Sequence, residues 1–579
     1  MNLNTAFSKE VLERIHQRLE GLYPGDGASL MKRLEHTLGR YQVAEKYGAS
    51  VSEMWSTQDA ILITYADSIL SDDHAPLQAL RHFAKDHLQG AVSTIHLLPF
   101  SPYSSDDGFS VIDYRQVDPG SGSWRDVEGL AEDFDLMFDL VLNHVSAQSD
   151  WFDFYTEGVS PYRDYFIEVS PEVDLSMVTR PRVSPLLTPV QTRDGQRHVW
   201  TTFSADQVDL NWSESNVFFE MLDVLLGYIA RGARVVRLDA VAFLWKQIGT
   251  TCLHLPETHE VIKALRDIVG LVAPRTLILT ETNVPHDENI SYFGAGDEAH
   301  MVYNFSLPPL TLHGLIHGNA RTLTDWADSL SAPPEGCAYF NFTASHDGVG
   351  VRPLQGILPD DEIQRLATTI EERGGMVSYR KLPDGGQSPY ELNATYYSAL
   401  ADPEDPKGAL SQDRFFASQV VALSMRGIPG VYIHSLFGSL NDTQGVRESG
   451  IPRRINRRKF RDREIQATLE DSRCFNATVF QRYTRLLRLR AAQSAFHPDA
   501  PQSTLRLDDR IFALRRDARD GSQTLWSLTN FSPFPVETAA GLWTYPERLW
   551  DLITDAAPAI CDGRLILQPY QSVWLCERT

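Results

Sequence analysis

Eight short apolar, β-rich runs recur from about residue 60 onward, each separated from the next by a longer stretch with helical patterning. They are ILITYAD (61–67), VSTIHLLPF (92–100), FDLMFDLVLN (134–143), ARVVRLDA (233–240), RTLILTET (275–282), MVYNFSLP (301–308), AYFNFTASHD (338–347) and GIPGVYIHS (427–435). Strands that are nearly continuous in apolar residues are covered on both faces, and intervening helices make them parallel. Eight such units predict a closed (β/α)8 barrel; a doubly wound open sheet is the alternative that the pattern leaves.

Two connections are too long for a single helix, about 90 residues after the third run and about 80 after the seventh, and both leave the C-terminal ends of their strands, where barrel enzymes place their sites. The sequence therefore divides into an N-terminal helical extension (1–58), a barrel (59–495) with insertions at about 146–220 and 348–410, and a C-terminal domain (496–579). Short alternating runs such as TLRLDDRIFALRR and SQTLWSLTNFS give that last domain an antiparallel β character. In the extension, Phe7, Val11, Leu12, Ile15 and Leu19 fall at helical spacing between charged residues, which predicts an amphipathic helix.

Composition bears on partners. Asp and Glu outnumber Lys and Arg by 76 to 53, a net charge of −23 that repels nucleic acid. An anionic small substrate then needs a local cationic cluster. The five cysteines are scattered, odd in number and without a CxxC pair, as in a reducing cytoplasm. Cys252, His254 and His259 match no common zinc spacing, so no metal is expected. No apolar run nears the ~18 residues of a membrane span, and neither secretion nor anchoring is expected. Oligomeric state is not legible, and a monomer or homodimer is the expectation.

The strand ends carry the chemistry. Alternation places Arg237 and Asp239 on one face, where the guanidinium keeps the carboxylate ionised. Glu281 ends the fifth run and His346-Asp347-Gly348 follows the seventh, so three carboxyls converge on the barrel mouth. Cleavage of a glycoside with retention requires an ionised nucleophile, a protonated acid and further negative charge near an oxocarbenium-like transition state.

The segments NHV (143–145), RLDA (237–240), TETN (280–283) and SHD (345–347) resemble, as an ordered set, the signature regions of glycoside hydrolase family 13, the α-amylase family. That resemblance implies Asp239 as nucleophile, Glu281 as general acid/base and Asp347 as transition-state stabiliser. It also casts Arg237, His144 and His346 as glucose-site residues. ITYAD, DDGFSVIDY (106–114), FSADQVDLNW (203–212) and YELNATYYSAL (390–400) are similar to the sucrose phosphorylase-like subfamily. This likeness implies that Asp106 holds the sugar rim and adds Phe203, Gln207, Tyr390 and Glu391 as substrate contacts.

The segment from Arg447 to Lys459 holds six basic residues in thirteen positions. By the same resemblance Arg453 binds phosphate, and Arg180, Arg182 and Arg457 are further candidates for phosphate or the acceptor. Ser388 and Glu391 stand where sucrose phosphorylases use Asp and Gln, and Phe243 where they have Tyr. The full-length pattern, with YSSDDGFSVIDY, NVPHDENISYFGAGDEAHMVY and SPYELN, resembles the glucosylglycerate phosphorylases of that subfamily. The implied reaction transfers glucose from glucosylglycerate to inorganic phosphate, releasing glycerate, without any other cofactor. Sucrose or sucrose 6′-phosphate phosphorolysis, hydrolysis or transglucosylation by the same triad, and a non-catalytic transporter subunit are the alternatives.

Overall fold

The computed structural model describes residues 7–578 apart from 42, 49–52, 183 and 382–385. Eight parallel strands close a barrel in chain order: β1 (Ile61–Thr64), β2 (Thr94–Leu97), β3 (Asp135–Val141), β4 (Ala233–Asp239), β5 (Leu277–Thr280), β6 (Met301–Tyr303), β7 (Ala338–Asn341) and β8 (Ile428–Tyr432). β8 pairs back to β1, so the sheet has no free edge. Every residue of β4 is buried, as expected for a strand with the barrel lumen on one side and helices on the other. The β3–β4 register sets Asp139 opposite Arg237 and Val141 opposite Asp239, which brings the polar strand ends together.

Between β3 and β4 the chain forms an antiparallel pair (His144–Ser146 with Gln207–Asp209), the helix Asp150–Thr156 and a hairpin (Leu187–Thr192 with Gly195–Trp200). Lys246 Nζ pins this insertion at 2.6 Å from Asp209 and 2.5 Å from Asn143. The expected boundary at 220 is corrected here. Helix Ser215–Ala230 runs through that position and is buried on nearly every side as part of the barrel wall, so the insertion ends before it. After β7, strands Val349–Gly350, Gln387–Asn393 and Met376–Lys381 build a small antiparallel sheet beside helix Asp360–Glu372. The chain rejoins the barrel wall at helix Ala409–Ser424.

Beyond helix Phe475–Ala491 lie a five-stranded and a three-stranded sheet with a core of their own. Buried Arg516 fastens them to the barrel by donating to the Ser424 carbonyl at 2.8 Å. At the other terminus, helices Lys9–Leu22 and Gly27–Arg40 lie against the outside of the barrel. Leu12, Ile15, Leu19 and Leu22 form the buried stripe of the first. Above that stripe Arg18 reaches Asp267 at 2.8 Å and Glu260 at 2.9 Å on helix Pro256–Val272, and Arg14 joins Asp267 at 2.7 Å. No helix among the described residues is long and apolar enough to cross a membrane.

The extension is thus a packed part of the barrel wall. Ile15 is fully buried, and Ile15→Ala is expected to destabilise the protein by about 2–4 kcal/mol. A lower urea midpoint with kcat within twofold of the parent is the expected outcome; an unchanged midpoint would mean that the helix carries no load.

Candidate active site

β4 delivers Arg237 and Asp239 to the barrel mouth. Arg237 Nη1 donates to Asp239 Oδ1 at 2.7 Å and to Asp139 on β3, and its Nε donates to Tyr303 Oη on β6 at 3.1 Å. Its Nη2 stands 4.0 Å from Glu281 Oε2. Burial opposes a charge on this guanidinium, but Asp139, Tyr303 and Asp239 outweigh it and hold the pKa well above the ordinary value. Asp139 is fixed in turn by His96 on β2 at 2.6 Å.

Directly after Asp239 the backbone turns through Ala240 at φ 50°, a left-handed conformation that a side-chain-bearing residue adopts at some cost. The turn aims the Ala240 amide at Glu281 Oε2, 3.1 Å away. Burial, reinforced by the negative charges of Asp239 and Asp347, pushes the Glu281 carboxyl up to about 7 against the pull of Arg237. Burial also raises Asp239, with Arg237 opposing. Asp347 goes the other way: burial would raise it, yet the charge of Arg453, followed by His346 and Arg457, holds it well below the usual carboxylate range. Three carboxyls in one cavity are thereby differentiated, and Glu281 is the one that carries a proton near neutral pH.

Around them the structure gathers the residues expected on the glucose side. Burial pushes His346 down to about 3, so it is neutral; its ring stacks on Phe109 at 4.8 Å and its Nδ1 has no hydrogen-bond partner among the described residues. His144 Nε2 donates to the Phe109 carbonyl at 2.9 Å, and Phe203 packs on its ring at 5.3 Å with Gln207 alongside. Asp106 and Asp107 both have positive φ, and the turn closes on Gly108, where a Cβ would stand 2.6 Å from the Pro99 carbonyl oxygen. Asp106, His144, Phe203, Gln207, Arg237, His346, Tyr390, Glu391 and Arg453 all line one cavity with the three carboxyls.

The basic candidates separate. Arg453 bridges Asp347 at 2.8 Å and Glu391 at 2.9 Å. Arg182 lines the cavity and lies over the Tyr390 ring at 5.9 Å. Arg180 is exposed and is not among the lining residues, because the loop carries it on the far side of Pro181. Arg457 is buried behind the wall, where it donates to the His346 carbonyl at 2.8 Å and to Asp107 at 2.7 Å; it braces the site rather than facing it. Arg352 and Asn283 line the cavity and were not anticipated. Their signal in the sequence is only proximity, Arg352 five residues past Asp347 and Asn283 two past Glu281.

Cys252, His254 and His259 do not converge. His254 bonds to Tyr292 at 2.8 Å and His259 to Glu298 at 2.7 Å, and no group of three or more His, Cys, Asp or Glu among the described residues could hold a metal ion.

The alpha-amylase catalytic domain matches residues 86–347. The glucosylglycerate phosphorylase of Allomeiothermus silvanus is 43% identical over 99% of this chain and 100% of its own length. That of Escherichia coli is 46% identical over 90% of this chain and 92% of its own. Among solved structures, sucrose 6F-phosphate phosphorylase from Thermoanaerobacter thermosaccharolyticum superposes with a TM-score of 0.72 at 26% identity, covering 84% of this chain and 96% of that one.

The charge pattern is directly measurable. A carboxyl titrating at about 7 should appear in difference infrared spectra of the parent and be missing in Glu281→Gln. Because the folded-state pKa is raised, the protonated form is present below that pH and lost above it. A Glu281→Gln spectrum that kept the transition would move the proton to another residue.

Proposed function

Because the chain belongs to the α-amylase family, within its phosphorylase-type branch, we propose that it is a retaining α-glucoside phosphorylase converting 2-O-α-D-glucosylglycerate and phosphate to α-D-glucose 1-phosphate and D-glycerate. The observation that carries this reading is the differentiated triad: Glu281 poised near neutrality, with Asp239 paired to Arg237 and Asp347 held ionised by Arg453.

In the first half-reaction the Asp239 carboxylate attacks the anomeric carbon while Glu281 gives its proton to the departing glycerate oxygen. The products are free glycerate and a β-glucosyl ester on Asp239. Phosphate then attacks the anomeric carbon of that ester, Glu281 takes the phosphate proton, and the bond from the anomeric carbon to Asp239 breaks with the carboxylate as leaving group, so that two inversions give net retention. Arg237 stabilises the returning negative charge on Asp239. Asp347, held low by its arginine, places fixed negative charge beside the cationic sugar.

Phosphate and glycerate are both anions, and cationic groups at the cavity, Arg453 and Arg182 among them, are what a chain of net charge −23 needs to admit them. Inorganic phosphate enters as co-substrate and no further cofactor takes part. The five cysteines are all free thiols, which fits a cytoplasmic setting.

The deciding experiment is phosphate release from α-glucose 1-phosphate with D-glycerate, L-glycerate, glycerol, fructose, fructose 6-phosphate or no acceptor. Preference for D-glycerate supports the assignment, preference for fructose or its phosphate overturns the acceptor alone, and release indifferent to acceptor overturns phosphorolysis in favour of hydrolysis. Asp239→Ala and Glu281→Gln are each expected to lower kcat by at least ~10³-fold with the protein still folded; activity within tenfold of the parent would refute the role. For Arg453→Ala the KM for phosphate should rise more than that for the glucoside, and equal rises would make it a structural residue.

A further inference from the structure

Four arginines line the cavity, Arg182, Arg237, Arg352 and Arg453. Arg237 is committed to Asp139, Asp239 and Tyr303, and Arg453 to Asp347 and Glu391. Arg352 has no such commitment. Its closest carboxylate oxygen, on Glu288, is 3.8 Å from Nη2, beyond hydrogen-bonding distance, and its Nε is buried without a partner among the described residues. Burial lowers the pKa of this guanidinium, Glu288 and Tyr390 offset that only in part, and the like charge of Arg380 adds to it. The orphaned Nε is closed to the cavity, so what an anion arriving there offsets is the charge of this largely buried cation.

The neighbouring wall carries the complementary group. Asn283 lies two residues after Glu281, lines the same cavity, and has a buried side-chain oxygen with no partner among the described residues. It packs onto Gly350, where an added Cβ would meet its amide nitrogen at 2.4 Å, and Gly350 is two residues before Arg352. The cavity wall therefore carries a cation with no carboxylate at hydrogen-bonding distance and, joined to it through Gly350, the Asn283 amide. A carboxylate compensates the first and a hydroxyl can bond to the second, which is the chemistry of a hydroxy acid.

Resting on the reaction assigned above, we propose that Arg352 binds the carboxylate of the glycerate acceptor, with Asn283 taking one of its hydroxyls, and so makes the site select an acid over a neutral polyol. The carboxyl carbon of 2-O-linked glycerate is bonded to the carbon bearing the glucosidic oxygen. A cation lining the cavity that also holds Glu281 is therefore placed to meet that carboxyl.

The test is synthesis from α-glucose 1-phosphate with D-glycerate or glycerol as acceptor. Loss of one charge-assisted contact should lower the glycerate-to-glycerol ratio of kcat/KM by about 10- to 100-fold in Arg352→Gln, with Arg352→Lys recovering part of it. Glu288→Gln, on a half-exposed side chain outside the cavity lining, removes the nearest competing carboxylate and should lower the KM for glycerate by about twofold to fivefold at low salt. A ratio within threefold of the parent in Arg352→Gln, a KM for phosphate that rises as much as that for glycerate, or an unchanged or higher glycerate KM in Glu288→Gln would each overturn the inference. A parent that ignores glycerate would instead overturn the assigned reaction, and the inference with it.

Discussion

One buried guanidinium organises this molecule. Arg237 joins β4 to Asp139 of β3 and Tyr303 of β6, and it stands near Glu281 at the end of β5, so a single side chain bridges four of the eight strands. Taking such a charge out of water costs several kcal/mol unless carboxylates surround it, and here they do. The same carboxylates need the arginine: without it Asp139 and Asp239 would be uncompensated in the barrel mouth. Register, fold and chemistry are therefore coupled, because sliding β4 by one residue would turn Arg237 and Asp239 away from the site together.

Charge is then distributed rather than accumulated. Arg453 is placed between Asp347 and Glu391, and Arg457 between Asp107 and the His346 carbonyl, so the second side of the cavity repeats the logic of the first with different residues. Asp347 stays ionised because of its arginine, and its fixed charge helps to raise Glu281. The proton on Glu281 is thus a property of the whole set. Loss of Arg453 would therefore reach Glu281 through Asp347.

The sequence displays the donor half of this arrangement and hides much of the acceptor half, for a physical reason. Asp239, Glu281 and Asp347 sit at the ends of apolar strands, and the two-residue period of a strand fixes which neighbours share a face, so Arg237 beside Asp239 is legible in RLDA. Helix 215–230 is apolar nearly all round, which gives no contrast between an insertion and a barrel wall, and the boundary at 220 fell inside it. Arg180 and Arg182 are equivalent on paper. Only the path of the loop through Pro181 puts one in the cavity and the other in solvent. In the same way Arg457 reads as one more basic residue in a cationic run, while the fold buries it behind Asp107.

Glu391 lines the cavity from the second insertion. Both of its oxygens are engaged, Oε1 by the Gly348 amide at 3.1 Å and by Arg453 Nη2 at 2.9 Å, and Oε2 by Arg453 Nε at 3.2 Å. A carboxylate so occupied orients Arg453 instead of presenting an acceptor to a neutral sugar hydroxyl. The strand Gln387–Asn393 that carries Glu391 pairs with Val349–Gly350, and that pairing sets the direction in which the chain runs on to Arg352. One antiparallel pairing in the second insertion thus orients Arg453 through Glu391 and sets the approach of the chain to Arg352. The barrel strands gather the three carboxyls, and this small sheet sets a cationic side of the same cavity.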